Sequence, residues 1–236
     1  MNMERYSKVC VAGVQKALGR LLLCCRLCGM PGHGLCADCR ALFPVNLPAC
    51  PRCATPMPAG TSGQPCGACQ RRLPPFARAW SPWRYEPPLD WLLPRLKYHQ
   101  ALEHARLLGS LMAEYLPEAD VGWAEAIVPV PLHRARLVRR GFNQALELAR
   151  PVARYAGLPL LGDAVVRVRD TPAQVGLERA ARLRNLKGSF AVRRSLPSRV
   201  LLFDDVLTTG ATAEALTRAL LQAGVEEVRV WAVARA

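Results

Sequence analysis

The chain has no run of about 18 uncharged apolar residues, the least that spans a bilayer as a helix, so a membrane-crossing helix is excluded. Its most apolar N-terminal stretch, Val9 to Cys24, is broken by Lys16 and Arg20, and no small-residue cleavage site follows. We read residues 1–24 as an amphipathic or buried segment rather than a signal peptide. Lysine is scarce: 28 of the 32 basic residues are arginine, and Lys97 is one of the four lysines. The segment from Cys25 to Gln70 is poor in apolar side chains and rich in turn formers such as Pro31, Gly32, Gly34, Pro56, Pro58, Gly60 and Gly63. That shortage excludes a module folded by hydrophobic burial alone and leaves metal as the organiser.

The whole chain is different. At 236 residues and 51% apolar it has room for one α/β domain plus a small module. The net charge of +14 is uneven: residues 1–100 carry +9 and residues 151–200 carry +7, whereas residues 201–236 carry −2. A basic surface attracts polyanions, whether nucleic acid, pyrophosphate or an anionic membrane. An arginine-rich composition with a solvated face gives the same numbers, and charge alone does not choose.

Eight of the ten cysteines form C-x-x-C pairs: Cys25/Cys28, Cys36/Cys39, Cys50/Cys53 and Cys66/Cys69. A C-x-x-C turn aims two thiolates at one metal, and two turns complete a tetrahedron around Zn²⁺. The simplest assignment is two sequential four-cysteine sites over residues 25–72, although a cross-braced pairing uses the same residues. Gly29 eases the first turn, His33 reads as a loop residue, and Cys10 and Cys24 are spare thiols. A closed site carries roughly −2, so two of them bring the formal charge to about +10 and leave the chain basic. Such sites have no open position, and chemistry must sit elsewhere.

Residues 200–212 supply that place. Val200-Leu201-Leu202-Phe203 is a continuous apolar run, which suits a parallel strand buried on both faces. It runs into Asp204 and Asp205, then into a small, hydroxyl-rich turn and a helical pattern from Glu214 to Leu221. Ligands of α/β proteins bind at the carboxyl edge of such a strand. The unpaired N–H groups of the following helix, its dipole and the hydroxyls of Thr208, Thr209 and Thr212 suit a phosphate, and Gly210 permits close approach. The two acids suit hydroxyls, a metal shell or developing positive charge. A sugar phosphate with free hydroxyls and Mg²⁺ uses every part. The ordinary alternative is a buried strand ending in a helix capped by Asp205 or Thr208.

Other segments fit around this one. Leu73-Pro74-Pro75 closes the cysteine module and opens a domain over 73–236. Trp80, Trp83 and Tyr85 lie among Arg78 and Arg84; they suit either a stacking surface for bases or the wall between two modules, and we favour the wall. A helix pattern follows Pro87-Pro88 through Leu96, and another covers about 102–116. Ala126 to Pro131 reads as a second buried strand with a proline stop. A loop with His133, Arg134, Arg136, Arg139 and Arg140 comes next, then a helix from Gln144 to about Ala156. Arginine forks at a sheet edge suit pyrophosphate. Residues 167–190, with Arg167, Arg169, Gln174, Arg179 and Arg182, have the composition of a segment that closes over a charged substrate, or of an ordinary surface helix.

The thirteen residues 200–212 resemble the phosphoribosyl pyrophosphate (PRPP) loop of type I phosphoribosyltransferases. Nearly the full chain resembles the ComF/GntX family, on the paired cysteines, Leu96-Lys97-Tyr98, Val128-Pro129-Val130-Pro131, Arg139-Arg140-Gly141-Phe142-Asn143-Gln144, Gln174, the Arg182–Phe190 pattern and the Asp204–Thr212 loop. The resemblance implies an α/β, type I phosphoribosyltransferase fold, a parallel sheet flanked by helices, behind a double zinc ribbon. It implies that Val206, Leu207, Thr208, Thr209, Gly210, Ala211 and Thr212 hold the 5-phosphate and that Asp204 and Asp205 hold the ribose hydroxyls, with Mg²⁺. Pro129, Val130, Arg139, Arg140, Lys97 and Arg182 fall to the pyrophosphate end. Family members are linked to natural competence and to incoming single-stranded DNA on the cytoplasmic side, at the inner face of the membrane.

Two readings remain open. One is a protein that binds PRPP and handles DNA with the competence machinery. The other is a phosphoribosyltransferase acting on a base or small nucleophile, with no DNA role. A base-specific acceptor pocket would separate them, and no residue announces one.

Overall fold

A computed structural model describes residues 24–31, 34–61, 63–99, 101–170, 185–186 and 188–236. Residues 1–23 of the expected amphipathic segment, and Gln174, Arg179 and Arg182, lie outside them. The chain divides into two compact units, Met1–Pro44 and Val45–Ala236. The first holds a cysteine turn and α1 (Ala37–Ala41). In that turn the Gly29 N–H donates to the Cys25 carbonyl at 2.9 Å, and Gly29 has the left-handed φ of +75° that the turn requires.

The second unit opens with the same device. The Ala54 N–H donates to the Cys50 carbonyl at 2.9 Å, and Cys66 and Cys69 flank the start of α2 (Gly67–Arg71). Here the residue after the turn is Ala54, at φ +56°, where a side chain costs about 1–2 kcal/mol. Its methyl group is buried in the core of the sheet, which offsets the strain.

The sheet follows: β1 (Arg78–Trp80), β2 (Trp83–Arg84), α3 (Leu89–His99), α4 (Leu102–Ala113), α5 (Glu118–Val121), β3 (Ala126–Pro129), α6 (Arg134–Arg140), α7 (Gln144–Ala156), β4 (Val165–Arg167), β5 (Phe190–Val192), β6 (Arg199–Leu207), α8 (Ala211–Gln222) and β7 (Glu227–Arg235). The strand order is β1-β7-β6-β3, all parallel, with β2 also on β7 and a separate antiparallel pair of β4 and β5. This is the parallel sheet flanked by helices that the sequence led us to expect.

Val200, Leu201, Leu202 and Phe203 are all fully buried, as a strand covered on both faces must be. Side chains alternate along it. Val200 and Leu202 join Leu216 and Leu220 of α8 in one cluster. Leu201 and Phe203 face the other way, where α7 covers β6 and α4 packs on α7. Gly109 makes that last contact: a Cβ there would lie 2.5 Å from the Leu148 carbonyl oxygen. Two expectations change. The arginine-rich segment after Pro131 is a short helix, α6, rather than a loop, because Gly141 at φ +84° closes it and His133 caps its start. Strand β6 also runs on to Leu207, which places both acids inside it. No helix among the described residues is long and apolar enough to cross a membrane.

Candidate functional site

The cysteines form two groups, Cys25/Cys28/Cys36/Cys39 and Cys50/Cys53/Cys66/Cys69, with the sulfurs of each group within 4.8 Å of one another. Cys28 and Cys36 Sγ are 3.7 Å apart, and Cys53 and Cys66 Sγ 3.6 Å. A zinc tetrahedron with Zn–S near 2.3 Å has sulfur–sulfur edges of about 3.8 Å, so the residues present fit the ion. The grouping is the sequential one. Burial opposes ionisation of Cys50, yet N–H donors from Cys66, Cys53 and Arg52 bring its pKa down to about 7. Cys25 is drawn down in the same way to about 6, whereas burial and neighbouring thiols push Cys39 and Cys69 up. Cys28 and Cys53 are raised as well, so metal binding must expel protons from both groups. His33 and Cys10 lie outside the described residues.

The hydroxyl-rich turn sits at the carboxyl end of β6. Val206 and Leu207 finish the strand, Thr208 and Thr209 make the turn, and Gly210 is the helix N-cap at φ +77°. No side chain caps α8, so neither Asp205 nor Thr208 does so; the Ala211 N–H reaches only the Thr209 hydroxyl, at 3.4 Å. A Cβ on Gly210 would meet nothing within 4 Å. The turn thus faces open space with the first-turn N–H groups of Ala211 and Thr212 at its edge. Gly210 is needed for its left-handed backbone, not to avoid a clash with the protein.

Asp204 and Asp205 are 9% and 5% exposed. Alternation along β6 sends them to opposite faces. The Asp205 N–H donates to Asp204 Oδ1 at 2.9 Å. Burial, then the Asp205 charge, pushes the Asp204 pKa well above the ordinary carboxylate value. Lys97 Nζ, from α3, forms an ion pair with Asp205. Burial disfavours the Lys97 ammonium, but Asp205 and Asp204 more than compensate, and its pKa is raised. Lys97, expected with the pyrophosphate group, is paired here with Asp205.

The other residues assigned to pyrophosphate separate. Arg140 is half-buried, feels the charge of Asp205, donates to Gln144 Oε1 and lies 5.9 Å over the Tyr98 ring. Arg139 is exposed on the same helix. Pro129 has no N–H, and the Val130 N–H donates to the Phe203 carbonyl at 2.8 Å while its own carbonyl accepts from Asn143. These two build the wall and lend no donor in this state. Arg182 lies outside the described residues.

Three site residues escaped sequence reasoning. Tyr85 lies beside Lys97 and Asp205, and burial raises its pKa. Arg167 of β4 is close enough to feel the charge of Asp204. Arg235 ends β7 and reaches the carbonyls of Leu207 and Thr208. Sequence reading singles out Tyr85 only among the aromatics and Arg167 only within the arginine-rich segment, and Arg235 not at all. Two of the three aromatics pack into the protein: Trp83 is 1% exposed, edge-on to Tyr115 at 5.8 Å, and Trp80 is edge-on to Trp231 at 5.9 Å, whereas Tyr85 lies beside Asp205. Part of the basic excess is also committed, because Arg78 and Arg229 both donate to buried Asp120, at 2.7 and 2.8 Å.

No family model matches the chain. Whole-chain relatives do. The DNA utilization protein YhgH of Escherichia coli K12 is 36% identical over 220 residues, covering 89% of this chain and 96% of that one. Competence protein F of Haemophilus influenzae is 35% identical over 214 residues, covering 86% and 91%. Competence protein ComFC of Streptococcus pneumoniae is 28% identical over 206 residues, covering 85% and 87%. Among solved structures, Thermus thermophilus TT1426 superposes with a TM-score of 0.34 at 19% identity, covering 56% of this chain and 83% of that one. A purine phosphoribosyltransferase from Pyrococcus horikoshii does so at 0.30 and 18% identity, covering 62% and 84%. At such TM-scores nothing is inferred from either.

Proposed function

The chain belongs to the ComF/GntX family, and from that premise we propose that it binds PRPP and works in DNA uptake and utilisation; its relatives bear the names DNA utilization protein and competence protein. The observation that carries the ligand is the pairing of an open, uncapped helix N-terminus at Gly210–Thr212 with two buried carboxylates one strand-end earlier. A 5-phosphate would accept from the N–H groups and hydroxyls of residues 208–212, favoured by the α8 dipole. The ribose 2- and 3-hydroxyls would donate to Asp204 and Asp205. Because burial keeps Asp204 from ionising easily, an arriving cation lowers the cost of its charge. The donor set of two carboxylates fits Mg²⁺ carried in with the ligand. Lys97 must then loosen from Asp205 and becomes free to meet the diphosphate, with Arg140 and the exposed Arg139 beside it.

Calorimetry with Mg²⁺-PRPP tests this reading. Wild type should bind, and Asp204→Asn with Asp205→Asn should lose affinity while keeping its fold. Equal affinity in the two proteins would remove the ribose role. The second reading, an active transferase, uses the same groups. Asp204 and Asp205 would stabilise an oxocarbenium-like state as pyrophosphate leaves. Pyrophosphate release against a panel of bases and amines decides it.

Single-stranded DNA is proposed as a further partner on the net +9 and +7 of residues 1–100 and 151–200. The buried Trp83 takes no part in base stacking, so we assign the affinity to phosphate contacts, which weaken steeply with salt. We place the protein in the cytoplasm.

A further inference from the structure

The second four-cysteine group and the phosphate turn are joined by one side chain. Arg235 is 8% exposed. Its Nε donates to the Cys53 carbonyl at 3.1 Å, and one terminal nitrogen donates to the Thr55 hydroxyl at 2.6 Å. The Thr55 oxygen lies 3.1 Å from Cys53 Sγ. The other terminal nitrogen donates to the Leu207 carbonyl at 2.9 Å and to the Thr208 carbonyl, the two residues where β6 becomes the turn, and also to the Ala236 oxygen. Thr209, Gly210, Cys53, Thr55 and Arg235 line one cavity of about 190 Å³. A planar guanidinium is suited to this, because its five N–H groups point in fixed directions. The contact set spans a metal ligand on one side and the phosphate turn on the other.

Electrostatics ties the same two ends. Zinc held by four thiolates carries a net charge of roughly −2. That charge beside Cys53 would stabilise the buried Arg235 cation, which in turn holds the Leu207 and Thr208 carbonyls.

We propose that Arg235 is a positioning residue that couples occupancy of the Cys50/Cys53/Cys66/Cys69 metal site to the shape of the 207–212 turn, so that loss of the metal lowers affinity for the phosphorylated ligand. The affinity arm rests on the PRPP reading; the coupling of metal to turn does not. By linkage the effect is reciprocal, and ligand should slow metal loss from this group.

The test is a two-by-two comparison on the full chain, wild type and Arg235→Lys, with and without zinc in the second group. Lysine keeps the charge and cannot bridge both ends. Alkylation mapped by mass spectrometry reports when Cys50, Cys53, Cys66 and Cys69 have opened. Amide exchange over 205–213 reports the turn, and calorimetry reports Mg²⁺-PRPP. In wild type, opening the group should speed exchange in the turn and weaken PRPP about tenfold. In zinc-loaded Arg235→Lys the turn should already exchange fast and bind about tenfold more weakly, and metal removal should add little. Additive effects of variant and metal removal, or an unchanged turn in either, would overturn the coupling. If wild type binds no PRPP, the PRPP reading fails, and exchange in the turn still decides for or against Arg235. Should Arg235→Lys lose its fold, Thr55→Val removes the hydroxyl that meets both Arg235 and Cys53 Sγ and must show the same non-additivity in smaller measure.

Discussion

Asp204→Asn should make the ligand-free protein more stable at neutral pH while weakening it as a binding site. The carboxyl is buried, and burial with the Asp205 charge raises its folded pKa well above the unfolded value near 3.8. The folded state therefore binds this proton more tightly than the unfolded state. Its favourable contribution is complete below the unfolded pKa and is lost as pH rises through the folded pKa, leaving wild type relatively weakest above it. Asparagine has the same shape, keeps an Oδ1 to accept the Asp205 N–H, and carries no charge to bury. Each unit of raised pKa removed is worth about 1.4 kcal/mol. Relief of a strained functional group commonly gives about 0.5–2 kcal/mol, and we expect a gain in that range. Urea denaturation followed by tryptophan fluorescence measures it from pH 4 to pH 8. The advantage of Asp204→Asn should grow with pH. A variant less stable than wild type at pH 7.5, or an advantage independent of pH, would refute the reasoning.

Elemental analysis should find about two zinc ions per chain, with retention falling on acidification because the thiols of Cys39 and Cys69 hold their protons most tightly; no zinc in reducing buffer with both groups still structured would contradict this. Trp83→Ala should cost about 3–5 kcal/mol of stability, read by thermal denaturation, because it empties a buried site against Tyr115. Any DNA binding left in that variant should keep its salt dependence, and a normal melting temperature with lost DNA binding would restore a stacking role. Gly210→Val should destabilise by about 1–2 kcal/mol through its φ of +77° and abolish PRPP binding by filling the open space before the turn, which calorimetry beside a urea titration separates.

Much of this was legible because it is local. C-x-x-C spacing dictates metal turns, and the apolar run at 200–203 dictates a strand buried on both faces. The Asn143 cap and Gly157 stop delimit α7 as read from the residues. What sequence concealed depends on distant partners. Acids do not advertise a buried strand interior, so the extension of β6 through Asp204 and Asp205 appears only when Lys97 arrives from α3. Arg235 looks like one more basic residue near the chain end, and its role depends on Cys53 and Thr55, some 180 positions earlier. Trp83 sits in an arginine-rich neighbourhood, and only the bridge from Val45 and the Tyr115 ring make it part of a wall. The second cysteine group lies in the same compact unit as the sheet, a placement that spacing alone does not reveal.

The most direct measurement is a crystal structure of the protein with Mg²⁺-PRPP. The account predicts the 5-phosphate within hydrogen-bond distance of the 208–212 backbone, the ribose hydroxyls on Asp204 and Asp205, and Lys97 withdrawn from Asp205. PRPP bound elsewhere, or an undisturbed Lys97–Asp205 pair at saturating ligand, would contradict it.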